Sequence, residues 1–536
     1  MEKIFQLVDV SHPTWLLYIS LLVIAVYFRF SRLVTVRNFD VLLLLLISTT
    51  LVIDGKWQAS AESGDSRQSS AKERSGDDNR VPDADEAAAS SSSDPSIAAA
   101  DGDASVKPVD ENDEDDETTV AELAADESDD AAVGNDAAPK HRWSSFVLLA
   151  FSIILICRLT LDEALTRRPR LEQNLNQAGL TFLCVPSFII LMISVLLQPP
   201  PGANVAVAKS GQALLHAREA GANDVPGESA TTGATTTMLA AGATGVAEIS
   251  EKIASKTESP AGQQGAVEVW VARVLVVLAH SLVIIGLMYI GRRHFSSTQL
   301  GVSMVCLYLL LPCTAYRVHD FEQVLPAACL TWAFASYRRP AVAGVLLGLA
   351  CGTLFFAVFL LPLWAVFYGR KGSVRFGLSL AGVAAAVLIT FALTSSDTDS
   401  FMNKVVTSIN WTVFRIFEDA MPATDSAIGQ VFLRITLASV FFVMLTAMTV
   451  IPRKRNLENL LANSTALVVT AQLWYPEEVG SYVLWYLPLL LLVMFRPRLD
   501  RFVPPEISEG HKSVLPVDQT AAAKSGGTLP RITLFS

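Results

Sequence analysis

The chain has 536 residues, of which 51% are hydrophobic and only 17% charged, with a mean hydropathy of +0.40. That composition excludes an ordinary soluble domain, and the apolar residues arrive in blocks rather than evenly spread. The formal charge of −11 says little about partners, because residues 54–142 hold 25 Asp/Glu against 8 Lys/Arg, a local net of −17, while everything else sums to +6.

A membrane-crossing helix needs about 20 mostly apolar residues at about 1.5 Å each. Such helices are expected at 13–29, 38–54, 143–159, 179–198, 270–291, 297–315, 321–337, 376–394, 430–451, 457–475 and 479–496. The fold class is therefore all-α, a polytopic integral membrane bundle of about 11 crossings, with one further apolar block at 341–368. The first run, Trp15 to Phe28, is followed by Arg29 rather than by a small-residue cleavage site, and is expected to remain as an uncleaved helix.

Residues 1–54 read as an N-terminal two-helix hairpin, 143–198 as the third and fourth helices, 269–500 as the C-terminal membrane core and 501–536 as a tail. Between them, residues 55–142 ("SSSDPSIAAADGDAS", "ENDEDDETT") are expected to be a disordered acidic loop, too poor in apolar surface to offset chain entropy. Residues 199–268 ("ATTGATTTMLAAGATG") are expected to be a mobile low-complexity loop with room for a marginal helix.

Lys and Arg collect after every second helix, at Arg29/Arg32/Arg37, Arg158/Arg167/Arg168/Arg170, Arg292/Arg293, Arg338/Arg339, Arg370/Lys371/Arg375, Arg453/Lys454/Arg455 and Arg496/Arg498/Arg501. Positive loops stay cytoplasmic, so the expected topology in a plasma or inner membrane has the N-terminus and both long insertions exoplasmic and the C-terminus cytoplasmic. The block at 341–368 has basic clusters at both ends. It is expected to enter and return as a pair of short helices, broken near Gly352 and Pro362, in the manner of broken helices that line cavities.

The six cysteines lie in or beside apolar runs without a CxxC or Cys/His metal spacing, and are read as small core residues. Walker A, GxGxxG, HExxH and GxSxG patterns are lacking, so ATPase, dinucleotide, zincin and hydrolase chemistry have no support. Topology already explains the basic residues, and no nucleic-acid partner is expected.

The stretch His319 to Tyr368 contains a polar pair, His319/Asp320, then the basic turn Arg338/Arg339, a small-residue helix "AGVLLGLA" over Ala343 to Ala350, and "LLP" at Leu360 to Pro362. In that order these features resemble a recurring segment of the GT-C superfamily, membrane glycosyltransferases that use lipid-linked sugars. The resemblance implies a donor such as a polyprenyl-phosphate sugar, held at the lipid bilayer, and an exoplasmic acceptor. Many relatives carry a lysine after the Gly-Leu-Ala stretch, where this chain has "CGTLFF". Their catalytic acid usually sits in the first exoplasmic loop, where this chain offers Asp54 beside Lys56 and Trp57.

Such a transferase needs a carboxylate to take the acceptor proton and cations to hold the lipid phosphate. Asp320 or Glu322 is expected to serve as base, with Asp54, Glu477 and Glu478 as alternates. Arg317, His319 and Arg415 are expected to hold phosphate or a lipid head group. A solvated loop with interfacial anchors accounts for the same residues at 316–322. No metal site or cofactor is assigned: Asp397-Thr-Asp399 has divalent-cation spacing, but two aspartates in a Ser/Thr loop are a common coincidence. Phe401, Val405, Ile409, Val413 and Phe417 recur at near-helical spacing and predict an amphipathic helix on the membrane surface. Trp411, four residues before Arg415, would share its face.

His280 lies midway along an apolar helix, a depth at which ionisable groups mark function; a neutral imidazole bonded to a neighbouring helix is the plainer reading. Sequons stand at Asn410 and Asn463, the second within an expected helix. Two other functions fit the sequence: a non-catalytic membrane scaffold, and a transporter or flippase.

Overall fold

The computed structural model describes residues 13–31, 33–77, 143–164, 173–216, 233–254, 264–395, 397–408, 427–451, 455–474, 481–497 and 503–505. Among the described residues the regular structure is entirely helical. In chain order the helices are α1 (Pro13–Tyr27), α2 (Val36–Asp77), α3 (Trp143–Thr160), α4 (Gln177–Leu197), α5 (Gly202–Leu215), α6 (Ala234–Ala254), α7 (Gln264–Arg293) and α8 (Thr298–Leu310). They continue as α9 (Pro312–Tyr316), α10 (Phe321–Ala335), α11 (Pro340–Thr353), α12 (Leu361–Thr394), α13 (Thr398–Ser408), α14 (Ala427–Val450), α15 (Leu457–Ala471) and α16 (Val483–Phe495).

Each of the expected apolar runs falls on a helix, but among the described residues six segments are long and apolar enough to cross a membrane. They are Val36–Lys56, Trp143–Thr160, Gln177–Leu197, Val267–Arg293, Phe355–Thr394 and Phe432–Val450. The shorter helices α8, α10, α15 and α16 form the interior. Every residue of α16 and all of α8 from Gly301 to Leu310 are buried, whereas the long helices α4, α12 and α14 turn Phe182, Leu393 and Val443 outward. A helix at the lipid-facing rim must stay apolar along its whole length, while an inner one is enclosed by its neighbours.

The structure corrects three boundaries. The helix expected to end at 54 runs on to Asp77, and 58–77 is free of the proline that would stop it. The acidic segment therefore starts as helix, not loop, and residues 78–142 lie outside the described residues. The run expected as one helix over 297–315 is split, since Pro312 disfavours helical geometry at Leu311, which is extended at φ −68°, ψ 131°.

The third correction concerns 199–268, expected as a mobile loop. Its helices α5 and α6 pack on each other and on the core, burying Val207, Ala208, Ala240 and Ala247. A β-carbon on Gly211 would lie 2.5 Å from Ala240 Cβ and 2.6 Å from the Ala241 nitrogen. The small residues that make the segment look low in complexity let the two backbones approach closely.

In the 341–368 block, α11 ends at Thr353, Leu354 is extended, and a 3₁₀ turn over Phe355–Leu360 leads into α12. The break thus falls two residues beyond Gly352. Gly369 takes φ +64°, ψ −178°, a left-handed conformation suited to glycine, and kinks α12 after Tyr368.

Candidate functional site

The short helix α9 brings the polar cluster of 316–322 to the middle of α2. Cys313 donates its backbone N–H to Ser48 Oγ of α2 at 2.7 Å, and Arg317 donates to the Cys313 carbonyl at 3.0 Å. Asp320 is the N-cap of α10, yet its side chain makes no cap bond. It turns instead to Arg317, whose Nη1 lies 3.2 Å from Asp320 Oδ2, and accepts on the same oxygen from Gln323 Nε2 at 3.4 Å. The Arg317 guanidinium also stands 5.8 Å from the centroid of the Tyr316 ring. Glu322 sits half-buried in the first turn of α10, where the helix dipole favours a carboxylate.

Tyr316 joins this turn to α2. Its hydroxyl lies against Gly55 of α2, where a β-carbon would come within 2.8 Å of Tyr316 Cζ. One residue earlier, Asp54 is buried and accepts from the Ser144 and Ser145 hydroxyls at the start of α3, the latter at 3.4 Å. The fold therefore gathers Asp54, Arg317, His319, Asp320 and Glu322 at one end of the bundle, although Asp54 and Asp320 are far apart in sequence. A carboxylate beside a cation and a tyrosine at a helix end is chemically able to accept a proton and to bind an anion.

His319 is fastened by the 199–268 insertion and the end of α4. Its Nε2 meets Gln198 Oε1 at 2.9 Å, and its carbonyl accepts from Asn204 Nδ2 of α5 at 2.7 Å. Burial pushes the imidazole pKa below its ordinary 6.5; Asp320 opposes that shift and Arg273 adds to it. Gln198, Asn204 and Arg273 escaped the sequence reading. An arginine six residues inside the apolar segment that begins at Val267 was the available signal.

The remaining candidates separate from this cluster. Arg415, Trp411, Glu477, Glu478 and Asn410 lie outside the described residues, as does the second half of the amphipathic pattern beyond Ser408. Its first half is α13, with Phe401 and Val405 packed toward Phe391, Ala234 and Ala241. Asp397 and Asp399 are exposed, and among the described residues no group of three His, Cys, Asp or Glu side chains is placed to hold a metal ion. His280 is buried with both ring nitrogens engaged, Nδ1 with Tyr308 Oη at 2.9 Å and Nε2 with the Val318 carbonyl at 3.0 Å. All six cysteines are free.

A second polar cluster was hidden in residues read only as topology signals. Arg158 grips both oxygens of Asp40 and reaches Asp162 Oδ1 at 2.6 Å. Arg496 contacts Asp162 Oδ2 and lies 3.2 Å from Glu458 Oε1. Five charged side chains from α2, α3, the 3₁₀ turn Leu161–Ala164, α15 and the end of α16 are thereby linked in a nearly dry network. The acids standing next to the basic clusters were its only trace in the sequence.

No protein-family model matches the chain and no curated protein is significantly similar to it, so the functional reading rests on the geometry of these clusters.

Proposed function

We propose that the chain is a multi-pass membrane glycosyltransferase of the GT-C kind, moving a sugar from a polyprenyl-phosphate donor to an exoplasmic acceptor. The observation that carries this reading is the contact between Gly55 and Tyr316, which brings the stretch of α2 that holds the carboxylate Asp54 to the Arg317–Asp320 turn. Asp320 takes the proton of the acceptor hydroxyl as the acceptor oxygen bonds to the sugar anomeric carbon. The bond from that carbon to the phosphate oxygen breaks, and the departing phosphate keeps the electron pair, its charge balanced by Arg317 with the neutral His319 ring beside it. Glu322 is the alternate base, and Asp54 orders the junction of α2 and α3.

The topology that goes with this reading has eleven crossings, an exoplasmic N-terminus and a cytoplasmic C-terminus in the plasma or inner membrane. It is supported by the alternation of basic clusters along the chain. Helix α11, at 14 residues, is about 21 Å long and falls short of the hydrocarbon core, which suits a re-entrant pair with Leu361–Tyr368.

A non-catalytic scaffold is the second reading, favoured by the engagement of Asp54 with two serines and of Asp320 with Arg317 and Gln323. A transporter is disfavoured, because the mid-helix His280 spends both nitrogens on internal partners.

The test is incubation of the purified protein with a panel of polyprenyl-phosphate sugars, followed by mass spectrometry, with Asp320→Asn in parallel. Turnover that falls by about 10²-fold or more in the variant supports the transferase with Asp320 as base. Full turnover in Asp320→Asn removes that residue from the role, and no turnover across the panel favours the scaffold.

A further inference from the structure

Arg273 stands about 9 Å along α7 from the start of its apolar segment at Val267, inside a depth where an uncompensated guanidinium is costly. Its Nη2 donates to the Gln198 carbonyl at 3.2 Å, and its buried Nε has no hydrogen-bond partner. Among the described residues no carboxylate pairs with it. Arg317, by contrast, is engaged with Asp320.

Gln198 ties Arg273 to the cluster already described. Its carbonyl binds Arg273 while its side-chain oxygen binds His319 Nε2, so one residue at the end of α4 holds both side chains. The His319 carbonyl is held in turn by Asn204. A cation whose buried Nε has no partner, beside a histidine, suits an anion with several acceptor oxygens. Phosphate has that form, and guanidinium binds it with directed, charge-assisted bonds.

We infer that Arg273, with His319 beside it, forms a phosphate-binding site at the α4–α7 edge of the bundle, and that its ligand is the phosphate of a membrane lipid. The inference deepens the proposed function, resting on it for the polyprenyl donor, but it concerns binding alone. Arg273 then adds an anion contact to that of Arg317, which also positions Asp320. The arginine sits within the apolar segment, so a lipid phosphate reaches it from the bilayer surface while its chain stays in hydrocarbon.

The experiment is equilibrium binding of radiolabelled polyprenyl phosphate, without sugar, to the full-length protein in nanodiscs of neutral lipid. Uncharged polyprenol and inorganic phosphate serve as comparison probes. We expect polyprenyl phosphate to bind and polyprenol not to, with Arg273→Gln raising the Kd about tenfold or more. Arg273→Lys keeps the charge and should recover part of that loss, which separates anion binding from misfolding. Binding of polyprenyl phosphate by the natural protein, together with no turnover of any polyprenyl-phosphate sugar, would sink the transferase reading and leave the phosphate site standing. Inorganic phosphate binding with the same dependence on Arg273 would support the site and overturn its lipid source. An unchanged Kd in Arg273→Gln, equal binding of polyprenol, or no binding of any probe would overturn the inference.

Discussion

Arg158 holds Asp40 with two parallel bonds, Nε to Oδ1 and Nη2 to Oδ2, each 2.7 Å long, across 118 residues of sequence. The planar fork of a guanidinium matches a carboxylate in this way, and both side chains are nearly shielded from solvent at 11% and 8% exposure. Removing one partner leaves the other charge buried, a loss of about 3 kcal/mol. Asp40→Asn should therefore lower the melting temperature of the detergent-solubilised protein clearly, and a melting curve superimposable on that of the natural protein would show that the pair contributes nothing.

Gly55 and Tyr316 offer a test of the contact between α2 and α9. A β-carbon at Gly55 would sit 2.8 Å from Tyr316 Cζ, so Gly55→Val forces the ring and the Arg317–Asp320 turn behind it to shift. Overpacking of this kind costs about 1 to 3 kcal/mol. Adding Tyr316→Ala should recover part of that loss, giving a coupling energy in a double-mutant cycle; strictly additive effects would mean that the two residues do not meet.

His319 predicts a pH dependence. Its folded pKa is lowered, chiefly by burial, so the neutral ring is the form the fold prefers. The unfolded chain takes up the proton first as pH falls through the ordinary value of 6.5, and the stability tied to His319 is present above that pH and lost below it. Melting temperature measured from pH 8 downward should drop as that value is crossed, and His319→Gln should lessen the drop. An equal decline in the variant would assign it to other groups.

Gly211 tests whether the insertion is a packed part of the fold. Any side chain there meets Ala240 Cβ and the backbone nitrogen of Ala241, which cannot move aside as a flexible side chain can. Gly211→Leu should separate α5 from α6 and make residues 202–254 sensitive to protease, at a cost of about 1 to 3 kcal/mol. Digestion patterns identical in variant and natural protein would count against the packing.

Much of the architecture was legible in the sequence, since the free energy of putting an apolar run in a membrane is local. The apolar runs, the break in 341–368 and the density of polar groups at 316–322 were all present in single windows of residues. The packing of 202–215 against 234–254 was not, because Ala, Gly and Thr suit both a flexible linker and a close helix contact, and only the partner backbone distinguishes the two. Likewise Asp54 and Asp320 were separate candidates until Tyr316 placed their helices together.

The sequence by itself determined the helical membrane class, the extent of the apolar segments and the places where charge gathers, for each follows from hydropathy and short-range spacing. Only the tertiary structure decided which charges are partners. Asp162 and Arg496 lie 334 residues apart, and Asp54 and Ser144 lie 90 apart, and no periodicity in the chain pairs them. Those pairings arise because buried polar groups must find partners wherever packing leaves them, and packing is a property of the whole bundle.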